Sequence, residues 1–299
     1  MKKWVNRKSR IRGSLTVNII TKNEEKNILK AIESIKDLAD EIIVIDTGSK
    51  DNTAKEATAA GAVVYQDKWD DDFSKPRNLA LEKSKSGWIL SLDADEIVPK
   101  RGREEIVEMI KRPEVVGWRI ETMNFCLDHR KLDVKVNDGY YEEGRKHKFY
   151  IGSEKTRLFQ KIPGVKWDFP IHEVVDASIG SIGGRFGKGF IKVLHLHKEM
   201  SEEEIKKKTE FYLGLCEKKV KQYPKMGHAW GELAACELHK RLYLRAARSY
   251  YNAIKYGEDI AKNRYGYAGV LKILGNKKES DQEVERALCK DFPNLTTIK

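Results

Sequence analysis

Nine residues, Trp88–Glu96 (W-I-L-S-L-D-A-D-E), constrain this chain more than any other stretch. Trp88, Ile89, Leu90 and Leu92 make a nearly unbroken apolar run, the pattern of a strand buried on both faces. Three acids follow within four residues: Asp93, Asp95 and Glu96. Carboxylates are costly to bury unless paired or bound to a cation, so these are expected to emerge at the strand's carboxyl end. Asp93 and Asp95 stand two apart, and in extended chain residues i and i+2 point to one side. Two hard oxygen ligands at the mouth of a sheet suit Mn²⁺ or Mg²⁺, especially a cation shared with a diphosphate. An isolated D-x-D is more often an Asp-rich turn; here the flanking sequence reverses that preference.

Leu15–Ile20 (L-T-V-N-I-I) reads as the first strand, followed by T-K-N-E-E and a helix with Ile28, Leu29, Ile32, Ile35 and Leu38 on one face. Glu41–Asp46 is a second buried strand, and its Asp46 opens the turn T-G-S-K-D-N-T. A short helix then stops at Gly61, and Ala62–Tyr65 is a third strand. Ser74 is expected to cap a helix with Pro76 near its first position. Strands alternating with short helices predict an α/β fold: a mostly parallel, doubly wound sheet whose ligands sit outside the carboxyl ends of the strands. Thr21–Glu24, Asp46 and Asp93–Glu96 fall at that edge. Asp46 alone is more often a turn-forming residue, but three such ends in one sheet are harder to dismiss.

The ordered set T-K-N-E-E, V-I-D-T-G-S-K-D-N-T, F-x-x-x-R-N and L-D-A-D-E resembles the inverting nucleotide-sugar glycosyltransferases of family 2, which have the GT-A (Rossmann-like) fold. The resemblance is strong over about Leu15–Glu96 and continues more weakly to about His197. It implies a UDP-sugar donor, with Thr21 and Glu24 lining the nucleoside, Asp46 accepting from a uracil-like base, and Asp93 beside the ribose and metal. Asp95 is implied as the direct metal ligand, and Arg77 lies near the base or diphosphate. A divalent ion bridging two phosphates also stabilises the departing nucleotide.

Farther on, Arg101–Lys111 reads as a helix, Val116–Phe125 and Thr156–Gln160 as strands, and Asp128–Lys148 as a polar loop, as good a candidate for an acceptor loop as for an ordinary surface loop. Val165–Glu173 resembles the family's aromatic-then-His-Glu segment. Inverting transfer needs one carboxylate to take the acceptor proton. Glu173, with no metal role of its own, is the first choice for that base, ahead of Asp168 and Asp128; the alternative is a structural His172-Glu173 pair. Lys192–His197 places two histidines on one face of a short strand. In related GT-A enzymes a late histidine completes the metal site, and His195 matches that position better than His197.

The C-terminal third differs. S-E-E-E at Ser201 is a capping-box pattern. Ala234 and Ala268, and likewise Ala253 and Ala287, stand 34 residues apart, the tetratricopeptide period. Trp230, Leu233, Ala246 and Tyr250 fit the repeat's large and small positions. The expected organisation is therefore a basic arm over 1–13, a GT-A domain over 14–200 and an all-α tetratricopeptide-like domain over 201–299. Such a short array needs to pack on the catalytic domain or on a second copy, so a homodimer through the helices is one expectation. A sheet domain with such helices resembles bacterial peptide glycosyltransferases of the sublancin type and the lipopolysaccharide-core glucosyltransferases. That implies transfer of a hexose to a hydroxyl or thiol, with a protein or peptide acceptor favoured over a glycan.

Composition bounds the rest. With 34% charged and 40% hydrophobic residues the class is soluble globular, and no apolar run reaches membrane-span length. No signal-peptide h-region is visible, so a cytoplasmic location is expected. The four cysteines show no metal spacing and read as reduced thiols. The net charge is +11, and Lys2, Lys3, Arg7, Lys8, Arg10 and Arg12 open the chain. This arm reads first as a solvated tail and second as a weak contact for a membrane surface or another polyanion, which keeps a nucleic-acid acceptor as an alternative. The rival of another class is a non-catalytic nucleotide-binding domain on a repeat scaffold.

Overall fold

The computed structural model describes residues 13–126, 133–195 and 201–291. The basic arm at 1–12, Asp128 and His197 lie outside the described residues. The chain divides into two compact units, Met1–Glu199 and Met200–Lys299.

The first unit is built on one nine-stranded sheet. Its first half follows the alternation in the sequence: β1 (Leu15–Thr21), α1 (Ile28–Ile35), β2 (Glu41–Asp46), α2 (Thr53–Ala59), β3 (Val63–Gln66), α3 (Ser74–Lys83) and β4 (Trp88–Asp93). These four strands run parallel in the order β3-β2-β1-β4. Both faces are covered, as the continuous apolar runs require. Ile42 and Val44 face a core shared with Ile28, Ile32 and Ile35, whereas Ile43 and Ile45 face Ala80 on the other side. Leu90 and Leu92 are fully buried in the first of these cores, so truncating either to Ala carries a cost of about 2–5 kcal/mol.

Beyond β4 the expectation of a mostly parallel sheet is corrected. The remaining elements are β5 (Glu96–Ile97), α4 (Gly102–Ile110), β6 (Gly117–Cys126), β7 (Val134–Val136), β8 (Phe149–Gln160), α5 (Asp176–Ser181) and β9 (Phe186–His195). The sheet continues β4-β8-β6-β9-β5: β8 is antiparallel to β4 and β6, β6 is parallel to β9, and β9 is antiparallel to β5. The sheet as a whole is mixed. Among the described residues no α-helix stands between β6 and β8, so no parallel crossover is imposed on β8, whereas β9 follows α5 and runs parallel to β6. The stretch expected as a polar loop contains β7, which pairs with β8, and a 3₁₀ turn at Glu142–Gly144. At α3 the cap is Asp72 rather than Ser74: its Oδ1 accepts from the Ser74 backbone N–H (2.9 Å) and Oγ (2.7 Å).

The second unit is all-α: α6 (Glu202–Gln222), α7 (Gly227–His239), α8 (Tyr243–Lys255), α9 (Ala261–Ile273) and α10 (Lys277–Asp291). Ser201 and Glu204 form the capping box at α6. Ala234, Ala246, Tyr250 and Val270 share one core, and Ala253, Ala268 and Ala287 are buried, so the small residues at the 34-residue offset are where helices meet. Cys216 of α6 and Cys236 of α7 bring their Sγ atoms within 3.6 Å, a proximity invisible in their wide sequence spacing.

Gly227 opens α7 where a β-carbon would stand 2.6 Å from both the Ala253 carbonyl and the Glu258 amide nitrogen. Both are backbone atoms that cannot rotate away. Gly227→Ala is expected to destabilise the chain by about 1–3 kcal/mol, the scale of overpacking, measured by urea unfolding followed by circular dichroism.

Candidate active site

Strand register brings the sequence-selected residues of the first half to one edge. Across β1, Thr21 stands beside Asp46 and Ile20 beside Asp93, so the carboxyl ends of β2, β1 and β4 finish level. Thr21 is buried, and its Oγ1 has no hydrogen-bond partner among the described residues. The loops after β1 and β2 are zipped together. Asn23 N–H donates to Ser49 Oγ (2.8 Å), Lys50 N–H to Asn23 Oδ1 (2.8 Å) and Glu24 N–H to Thr53 Oγ1 (2.8 Å). Much of the motif in these loops is therefore loop-to-loop architecture. Glu24 accepts from Asn27 Nδ2 at 2.8 Å. Asp46 Oδ1 accepts from the backbone N–H groups of Gly48 (3.0 Å) and Ser49 (2.7 Å), the turn-forming role weighed for it above.

At the tip of β4 the three acids have three different partners. Asp93 accepts from Arg77 Nη2 at 2.7 Å. Burial alone would raise its carboxyl; Arg77, with Arg157 and Lys155 behind it, more than reverses this and holds Asp93 well below the usual range. A depressed carboxyl contributes stability that is present above its unfolded value of about 3.9 and lost as pH falls through the folded value. Glu96 lies in a bidentate pair with Arg157 (2.7 and 2.6 Å), both side chains 4% exposed, and its Oε2 also accepts from the Asp93 N–H at 2.9 Å. Burial pushes the Glu96 carboxyl up, against the pull of Arg157. Asp95 is a third exposed and meets His195, with Nε2 2.9 Å from Oδ2. The hydrogen bond with Asp95 raises the His195 pKa, with burial opposing.

Arg77 is buried in the wall of the cleft. Its Nε donates to Glu173 (2.6 Å), Nη1 to Ser91 Oγ (2.8 Å) and Nη2 to Asp93, and its guanidinium stacks 5.0 Å over the Trp167 ring. Burial pulls its pKa down, and the facing Glu173 and Asp93 carboxylates more than reverse it, so it stays charged. Arg77 thus joins Asp93 to Glu173, which lies 96 residues beyond Arg77 in the chain. The segment carrying Glu173 is pinned by α3: Asn78 exchanges two 2.9 Å hydrogen bonds with the backbone of Trp167, and Phe73 N–H donates to the Pro170 carbonyl. Asp168 and Val174 close this loop as a β-bridge. Within it Phe169 and His172 have φ of 76° and 50°, left-handed conformations that non-glycine residues keep only when their surroundings impose them. Asp168 faces Lys166 at 3.2 Å.

Asp93, Arg77, Glu173, Trp167 and Lys155 line one narrow cleft. Asp95 and His195 form a second pair beside Asp93 through the short β5, which sets Glu96 opposite His195. Among the described residues, no group of three or more His, Cys, Asp or Glu side chains makes a metal cage. Asp95 and His195 could supply two ligands to a divalent cation, which commonly keeps waters and phosphate oxygens among the rest. Three residues in this arrangement escaped the sequence reading: Arg157, Asn124 and Ser91. A lone Arg or Asn on a strand carries no local signal, and only the pairing of β6, β8 and β9 brings them to the acids.

Residues 16–162 match the family model described as Glycosyl transferase family 2. The chain is 32% identical over 170 residues to a TPR repeat-containing protein of Synechococcus elongatus, covering 56% of this chain and 36% of that protein. It is 29% identical over 228 residues to the SPbeta prophage-derived glycosyltransferase SunS of Bacillus subtilis, covering 76% of this chain and 49% of that protein. It thus spans about half or less of the length of these relatives. Among solved structures, S. aureus TarS 1-349 in complex with UDP-GlcNAc superposes with a TM-score of 0.51 at 12% identity, over 95% of this chain and 92% of that one, a likeness of fold.

A buried ion pair gains little net stability when intact and leaves an uncompensated charge when one partner is removed. Arg157→Met is therefore expected to lower stability by about 3–5 kcal/mol, and the double variant Arg157→Met/Glu96→Leu to recover most of that loss, both read by urea unfolding.

Proposed function

We propose that this chain, which carries a glycosyl transferase family 2 domain, is a metal-dependent inverting enzyme that moves a hexose from a UDP-sugar to a hydroxyl or thiol, with a peptide or protein acceptor favoured. The observation that carries the proposal is the Asp95–His195 pair beside Asp93 at the carboxyl end of β4, level with Thr21 and Asp46. The partnerless, buried Thr21 Oγ1 supports a polar ligand at that edge. In this reading Thr21, Glu24 and Asp46 line the nucleoside, and Asp93 faces the ribose and cation from its seat on Arg77.

Asp95 and His195 would hold Mn²⁺ or Mg²⁺. A carboxylate oxygen and an imidazole nitrogen side by side, each a third exposed, are a donor set that Mn²⁺ accepts. The cation, when bound, neutralises charge building on the departing diphosphate. Glu173 takes the proton from the acceptor hydroxyl or thiol. The acceptor atom bonds to the anomeric carbon as the bond from that carbon to the diphosphate oxygen breaks on the opposite face, releasing UDP. Arg77 fixes the orientation of the Glu173 carboxylate, and the pinned 167–174 loop fixes its position.

The peptide acceptor rests on the resemblance to peptide glycosyltransferases and on the helical repeats, since such arrays hold extended chains; both are analogies of fold. No described helix is long and apolar enough to cross a membrane. A cytoplasmic location, pairing of two chains through the helices, and a contact of the basic arm with anionic surfaces belong to the same proposal. The direct test is incubation with labelled UDP-hexoses and candidate peptides, with and without Mn²⁺, followed by mass spectrometry. Absence of both transfer and Mn²⁺-dependent UDP-sugar hydrolysis would leave the non-catalytic scaffold.

Two outcomes follow from the geometry. Glu173→Gln is expected to keep UDP binding by calorimetry while transfer falls about 10²–10⁴-fold, the scale of a lost general base; unchanged transfer moves the role to another carboxylate. The second concerns pH. The His195 pKa is raised above its ordinary 6.5, so in the metal-free chain its charged form contributes stability present below that value and lost as pH rises through the folded value. Binding of a cation displaces this proton. Mn²⁺ affinity measured at several pH values is therefore expected to strengthen by about tenfold per unit through that window and then level off, with the slope lost in His195→Asn.

A further inference from the structure

The tautomer of His195 is set from behind by a residue on β6. Asn124 stands directly beside His195 in the β6–β9 register, and its Oδ1 lies 3.0 Å from His195 Nδ1. The orientation of the Asn124 amide is not interchangeable. Its Nδ2 faces the backbone carbonyls of Ile151 (3.1 Å) and Thr122 (3.4 Å), with Ser153 Oγ at 3.0 Å. Flipping the amide would set its oxygen against two carbonyl oxygens, so the NH₂ belongs on that side and Oδ1 belongs on the histidine. An amide oxygen only accepts; Nδ1 must donate to it. In the neutral ring that leaves the Nε2 lone pair directed at Asp95 Oδ2, 2.9 Å away. Two acceptors at that separation are held together only by something positive between or beside them.

We propose that Asn124 is a positioning residue that keeps His195 in the Nδ1–H tautomer with Nε2 presented to a divalent cation, and so sets this chain's affinity for the metal. The inference rests on the reading of Asp95 and His195 as the cation's protein ligands. Metal-bound histidines commonly donate their other ring N–H to an oxygen acceptor, which fixes the ring and raises its basicity; here that acceptor is an amide anchored by two strands. Thr122, two residues earlier on the same face of β6, accepts from Arg157 Nε at 3.1 Å, and Arg157 in turn clamps Glu96. One face of β6 thus orients both flanks of the Asp93–Glu96 turn without contributing a ligand itself.

The test is Mn²⁺ titration of the full chain in the presence of UDP, followed by electron paramagnetic resonance, with electron spin echo reading imidazole nitrogen on the bound ion. Asn124→Leu, which removes the acceptor, is expected to weaken Mn²⁺ binding by about 10–100-fold, and Asn124→Gln, which keeps an amide oxygen for Nδ1 and an NH₂ for the carbonyls, to lose clearly less than the Leu variant. His195→Ala is expected to lose the nitrogen signal. Two results would overturn the assignment while sparing the cation site: Mn²⁺ affinity unchanged in Asn124→Leu although His195→Ala loses it, or equal losses in the Leu and Gln variants. Unchanged affinity in His195→Ala would remove His195 from the cation site, and the role of Asn124 with it.

Discussion

A carboxylate cannot be left in a protein interior without a counter-charge, and this site depends on how that requirement is met. Asp93 and Glu96 sit at the end of a strand whose preceding residues are fully buried. Two guanidinium groups reach them from opposite sides, Arg77 from α3 and Arg157 from β8. Neither pair is to be read as a large gain in stability, because desolvating both ions offsets most of their attraction. Their effect is geometric. Arg157 holds Glu96, Glu96 accepts from the Asp93 amide, and the turn carrying Asp95 is thereby held in one conformation. Arg77 applies the same constraint at a longer range, tying the tip of β4 to Glu173.

Much of this was legible in the sequence, for local reasons. Continuous apolar runs ending in acids mark parallel strands that need both faces covered, and the residues at their ends then fall together without knowledge of any long-range contact. Thr21, Asp46 and Asp93 were found in this way. The small residues 34 apart in the helical unit were legible because helix crossings require them at fixed intervals. What could not be read depends on non-local pairing. The antiparallel strands β8 and β9 and the short β5 bring Arg157, Asn124 and His195 to the acids, and no spacing rule links residues 93–96 to 124, 157 or 195. The histidine pair at 195 and 197 stood out in the sequence, but only a family resemblance favoured His195 over His197. Arg77 was singled out by its place in the motif, but nothing in the sequence hinted that three of its donors serve Glu173, Ser91 and Asp93.

The motif residues in the first two loops carry a second lesson. Asn23, Ser49 and Thr53 hydrogen-bond one loop to the other, and Asp46 anchors its own turn through Gly48 and Ser49. Much of the pattern in these loops therefore serves to hold one loop to the other. Shape at the mouth of a sheet has to be held by something, and short polar side chains bonding to backbone are the inexpensive means available in loops without a core.

The same logic sorts the three acids of one turn. Identical functional groups within four residues acquire different capacities from their partners alone. Glu96, at 4% exposure and fully engaged by Arg157, is unavailable to any ligand. Asp93, a third exposed and bonded to Arg77, stays ionised to low pH and is not released from its arginine without leaving that charge buried. Among the described residues Asp95 meets no guanidinium; its partner is the His195 imidazole. The three carboxylates of this turn thus differ in their partners rather than in their chemistry, and the place of Asp95 is fixed by the two beside it.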